Sequence, residues 1–145
     1  MAITVKKVTL WRAEIDNRTG TLAAVLEPLA ATKASLQVVM GYRFPGNPAR
    51  AAVELSPVSG KKPQAAARSA GLSPATQPAL LVTGDDRPGV GATMSRALAD
   101  AGINMDFLVA LVIGRKFSTV IGFESDADAA RAVAILKKAL AKRKR

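Results

Sequence analysis

The sequence predicts an α+β protein built from two tandem β-α-β-β-α units with antiparallel sheets. Three observations carry this. A D-x-R-x-G pattern occurs twice, at 16–20 and 85–89, 69 residues apart. Each copy follows a β-like run and precedes a run of helical spacing. The elements after each copy then recur in the same order.

IDNRTGTLAAVLEPLAATKASL (15–36) aligns without a gap over GDDRPGVGATMSRALADAGINM (84–105). Asp16 falls on Asp85, Arg18 on Arg87, Gly20 on Gly89 and Leu29 on Leu98. VTLWRAEI (8–15) and ALLVTG (79–84) are the strands that enter the two turns. Leu22, Val25, Leu26 and Leu29 place the first helix on one apolar face; Val90, Met94, Leu98 and Ala101 do the same for the second copy. Pro28 lies inside the first of these helices, where a lost hydrogen bond predicts a bend. SLQVVMGYRF (35–44) and INMDFLVALVIG (103–114) read as second strands, AAVELS (51–56) and KFSTVIGFE (116–124) as third strands. GYRFPGNP (41–48) joins two strands of the first copy, with Tyr42 and Phe44 as contact or strand-packing residues. KPQAAARSAG (62–71) is a short helix with Pro63 in its first turn and Gly71 at its end. The last helix is long, with Asp126 as its expected N-cap and Val133, Leu136 and Leu140 as its apolar stripe.

LSPATQP (72–78) supplies a short final strand to the first unit. After the last helix there is only KRKR. The pattern is therefore two ferredoxin-like βαββα(β) units, the second lacking a clear final strand or having its place filled by another chain. An open sheet edge of that kind has to be covered. The expected division is 1–77 for the first unit, 78–141 for the second and 142–145 for a basic C-terminal tail.

Composition narrows the function. The chain has neither cysteine nor histidine, which removes disulfides, thiolate metal sites, the commonest general base and the commonest metal ligand. No apolar run reaches the length of a membrane span, and MAITVKKVTLWRAEID is not a signal peptide, so a cytoplasmic protein without cofactor or metal is expected. Of the net charge of +10, six positive charges sit in the terminal stretch KKALAKRKR. That run suits a solvated helix end, or an electrostatic contact with nucleic acid or an acidic partner.

Two units with D-x-R-x-G at the first strand–helix turn resemble a tandem pair of ACT domains. "DDRPGVGATMSRALADAGINM" carries the Asp-Arg-Pro-Gly turn, the amphipathic helix and the "AGIN" exit of the family; "DNRTGTLAAVLEPLAATKASL" keeps Asn17-Arg18 and Gly20-x-Leu22 with Thr19 in place of proline. The resemblance implies a non-catalytic regulatory protein. Such a protein binds an amino acid or similar small metabolite where two units meet, and signals to a separate enzyme or regulator, commonly as a homodimer. The binding residues it implies are Asp16, Asn17, Arg18, Gly20 and Leu22 in the first copy. In the second they are Asp85, Asp86, Arg87, Pro88, Gly89 and Val90, with Asn104 at the helix exit; the first copy has Ser35 there.

The turn chemistry supports such a role. A helix N-terminus offers unpaired N–H groups and partial positive charge to a carboxylate, while Gly89 and Gly91 let the backbone approach a ligand. Asp85 or Asp86 would accept from an α-ammonium group. The plainer reading is that Asp86 caps the helix. A scaffold that dimerises without a ligand is the alternative. An RNA-recognition module shares the strand–helix order, but RKFSTVIGF (115–123) keeps only Phe117 of the aromatic signature, which disfavours nucleic acid.

Overall fold

The computed structural model describes residues 3–141, so the predicted basic tail at 142–145 lies outside the described residues. The chain begins with a strand that the sequence does not announce. β1 (Thr4–Val8) is followed after two residues by β2 (Trp11–Asp16). Only Val5 of β1 is buried, and Lys6 and Lys7 are exposed, so its sequence lacks the apolar alternation of a half-buried strand. The remaining elements are α1 (Thr21–Ala31), β3 (Val38–Phe44), β4 (Asn47–Ser56), α2 (Lys61–Ser69), β5 (Ser73–Pro74), β6 (Ala79–Asp85), α3 (Val90–Asp100), β7 (Met105–Ile113), β8 (Lys116–Phe123) and α4 (Asp126–Ala141).

Two four-stranded sheets form, in the orders β3-β4-β2-β5 and β7-β8-β6-β1. All pairings are antiparallel. The second sheet is not short of a strand. β1 runs antiparallel to β6, from Thr4 opposite Thr83 to Val8 opposite Ala79, in the place that β5 takes beside β2 in the first sheet. β1 therefore supplies the fourth strand of this sheet. The compact units follow from this pairing. One is Thr9–Thr76; the other joins the segment up to Val8 to the chain from Gln77 onward. Residues 3–8 thus group with the unit that contains β6.

Each unit packs its two helices on one face of its sheet. Trp11, Val25, Leu29, Val53, Leu55 and Leu72 are buried in the core of the Thr9–Thr76 unit. Leu80, Val82, Met94, Leu98, Ile121, Phe123, Leu136 and Leu140 fill the other. Alternate strand residues and helical positions three to four apart provide both sets, as hydrophobic patterning requires.

The helix ends differ from expectation in two ways. α1 and α3 start on Gly20 and Gly89, both left-handed at φ 92° and 85°, with no side chain capping either helix. Asp86 is exposed and does not cap α3. For α4 the capping oxygen is Ser125 Oγ, which accepts from the Asp128 N–H at 3.1 Å; Asp126 is already helical. α1 continues through Pro28 to Ala31. Both α1 and α3 end on a left-handed residue, Lys33 in one and Gly102 in the other.

Candidate functional site

In the Thr9–Thr76 unit a cavity of about 240 Å³ opens between the β2–α1 turn and the edge strand β3. Asn17, Arg18, Gly20, Thr21 and Leu22 come from the turn and the start of α1; Gly41, Tyr42 and Arg43 come from β3. Four of the five first-copy residues expected from sequence, Asn17, Arg18, Gly20 and Leu22, line it together. Asp16 does not.

Local bonding explains how the turn is held. The Asn17 amide donates to the Pro48 carbonyl at 2.7 Å, and its N–H donates to the Ala49 carbonyl at 2.9 Å. These tie the turn to the β3–β4 hairpin. The Thr21 hydroxyl bonds the carbonyls of Asp16 and Arg18, both at 2.9 Å. Asp16 is taken up by Arg50 at 2.6 Å and stands 3.7 Å from Arg18 Nε. With Gly20 as N-cap, no side-chain oxygen competes for the first N–H groups of α1.

The space itself arises from two small residues. Gly41 has only Leu22 Cδ2 near the point where a Cβ would stand, at 3.8 Å. Ala51 lies opposite Ile15 and Arg43 in the sheet. At the corresponding register of the second sheet, Phe117 lies opposite Gly84 and Val112. Its ring is buried, and its Cε2 is 2.9 Å from a Cβ position on Gly84. The bulky ring thus occupies the place that Ala51 leaves open.

The second turn is accordingly a different object, although its motif is the better preserved in sequence. Asp85 is paired with Lys116, and that hydrogen bond holds its carboxyl below the usual carboxylate range. The Asp86 N–H bonds the Arg115 carbonyl at 2.8 Å, leaving its side chain exposed. Arg87 Nε and Nη2 are shielded from solvent rather than projecting into it. Pro88 and Gly89 are exposed, and Val90 is buried in the core. Asn104 is exposed beyond the far end of α3, separated from the turn by the length of that helix, about 16 Å at 1.5 Å per residue. Within its unit it does not join Asp85–Val90.

Sequence reasoning missed Gly41, Arg43 and Ala51. A lone glycine inside an apolar strand was the available signal, since such a glycine marks missing packing or a close approach. On the opposite face of the same sheet the Tyr42 hydroxyl donates to buried Glu54 at 2.5 Å. Burial first, and this bond second, raise the phenol above its ordinary range. Arg12 donates to Glu14 at 2.8 Å, lowering that carboxyl and raising the guanidinium, and stands 3.8 Å from Glu54.

Among the described residues no group of acidic side chains could hold a metal ion, and no helix is long and apolar enough to cross a membrane. No family model matches the sequence, and no curated protein matches it. Solved structures share the fold. A protein from Bacteroides thetaiotaomicron superposes with a TM-score of 0.70 at 17% identity, over 94% of this chain and 89% of the other. The regulatory subunit of aspartate kinase from Thermus thermophilus, solved in ligand-free form, gives 0.64 at 15% identity over 96% and 97%. Aspartate kinase from Clostridium acetobutylicum gives 0.62 at 14% identity, with 97% of this chain covering 34% of that one.

Proposed function

We propose that this chain is a non-catalytic, cytoplasmic regulatory module that binds a small metabolite, an amino acid foremost, at the β2–α1 turn of the Thr9–Thr76 unit. The observation that carries this reading is the convergence of Asn17, Arg18, Gly20 and Leu22 on one cavity. A carboxylate of the ligand is received by the uncapped first turn of α1. The α-ammonium group is received by backbone carbonyls on the outer edge of β3, where the sheet has no further strand among the described residues. No histidine, cysteine, lysine, aspartate or glutamate lines the cavity, and the Tyr42 hydroxyl is engaged by Glu54. The fold is also that of a regulatory subunit of aspartate kinase, which supports a regulatory reading here. Output then passes to a separate enzyme or regulator.

We further propose that the chain acts as a homodimer through β7. This edge strand exposes Leu108, Val109, Leu111, Val112 and Ile113. That exposure equally favours the second reading, an interaction scaffold without ligand.

A thermal-shift screen against the twenty amino acids separates the two readings. A ligand at 100 times its Kd stabilises the fold by about 2.7 kcal/mol. Gly41→Leu, which fills the cavity from its floor, is expected to abolish the shift while the protein stays folded. If no amino acid shifts the melting temperature, the scaffold reading replaces the sensor.

A further inference from the structure

We infer that the cavity selects a small dicarboxylate, an acidic amino acid in preference to a neutral or basic one. This inference rests on the binding reading above and adds the charge of the ligand to it. Two arginines, Arg18 and Arg43, line the cavity, and no aspartate or glutamate does.

The surrounding charges do not cancel this excess. Arg18 has Asp16 within 3.7 Å, but Asp16 is already bound by Arg50 at 2.6 Å. Arg43 makes no ion pair among the described residues. Glu14 and Glu54 lie on the other face of the sheet, engaged by Arg12 and Tyr42. The first turn of α1 contains no acid. A ligand with one carboxylate on that turn still has two arginines among its neighbours, and a guanidinium suits a second carboxylate bound through paired N–H donors. A lysine-like ligand would bring a third cation beside them. The pattern belongs to this site and not to the fold at large, because Val112 stands in the second sheet at the register that Arg43 holds in the first.

Isothermal titration of the full chain tests this with L-aspartate and L-glutamate against L-asparagine, L-glutamine and L-lysine. The amides keep the shape of the acids and remove one charge. The acids are expected to bind about tenfold tighter or better than the amides. Arg43→Gln should erase that preference while leaving amide binding in place, and added salt should weaken acid binding more than amide binding. Amides, lysine or another neutral amino acid binding as tightly as the acids would overturn the charge inference and leave the binding site standing. Failure of every amino acid to bind would instead remove the binding reading, and this inference with it.

Discussion

Tyr42 shows how one residue couples the two faces of the first sheet. It lines the cavity, and its hydroxyl donates to Glu54 on the other face. It is the one tyrosine of the chain, so phenolate absorbance reports it alone. Its folded-state pKa is raised, so its contribution to stability is present below the unfolded value and is lost as pH rises through the folded one. The absorbance midpoint is expected above the ordinary value of 10.0. Glu54→Gln should lower it only in part, because burial is the larger cause. A midpoint at the value of free tyrosine would show that neither the burial of Tyr42 nor its bond to Glu54 persists in solution. At this scale the sequence was readable where a motif is local. Asn17, Arg18 and Gly20 belong to one turn and reach one cavity. Arg43 and Ala51 reach it only through strand register, which no local pattern reveals.

Among the elements, β1 has the largest consequence. It closes the edge of β6 and places Val5 in the core of the second unit. Val5→Asp would bury a charge without a partner and is expected to cost about 3 kcal/mol or more. Hydrogen exchange should then speed up in β6 and β8, with β2 and β4 of the other unit little changed. Lys6→Glu, on an exposed position of the same strand, should fall within about 0.5 kcal/mol of the parent. Equal effects from the two substitutions would refute the pairing of β1 with β6. The helices were the most legible elements, because α1 and α3 carry apolar residues at helical spacing and each begins at a left-handed glycine. β1 was not legible, because one buried side chain among five leaves no period to detect.

At the scale of the molecule, the homodimer proposal rests on β7. Leu108 stands opposite core residue Ile121, and Leu111 opposite Ser118, so exposed apolar side chains project on both faces of an edge strand. Leu111 and Ile113 are 62% and 71% exposed. Such an edge invites pairing with another apolar strand, and β7 of a second copy has the same character. Sedimentation is expected to give a dimer for the parent chain and a monomer for Val109→Lys/Leu111→Lys, with circular dichroism unchanged. A monomeric parent at high concentration would end the homodimer proposal.

The sequence by itself determined the α+β plan of two ferredoxin-like units, the two strand–helix turns and the residue types at each. Those features depend on neighbours in the chain: apolar period, a glycine able to adopt positive φ, and repeated order. Tertiary structure alone decided which strand completes the second sheet and which strand residues join the first turn at a cavity. Both depend on side chains brought together from distant positions. β1 meets β6 across more than seventy residues of sequence. At the matched register the two sheets differ in side-chain volume, with Phe117 in one unit and Ala51 near Gly41 in the other. The weaker copy of the motif lines one cavity, and Gly84, Lys116 and Phe117 of the other unit line a separate one of about 280 Å³.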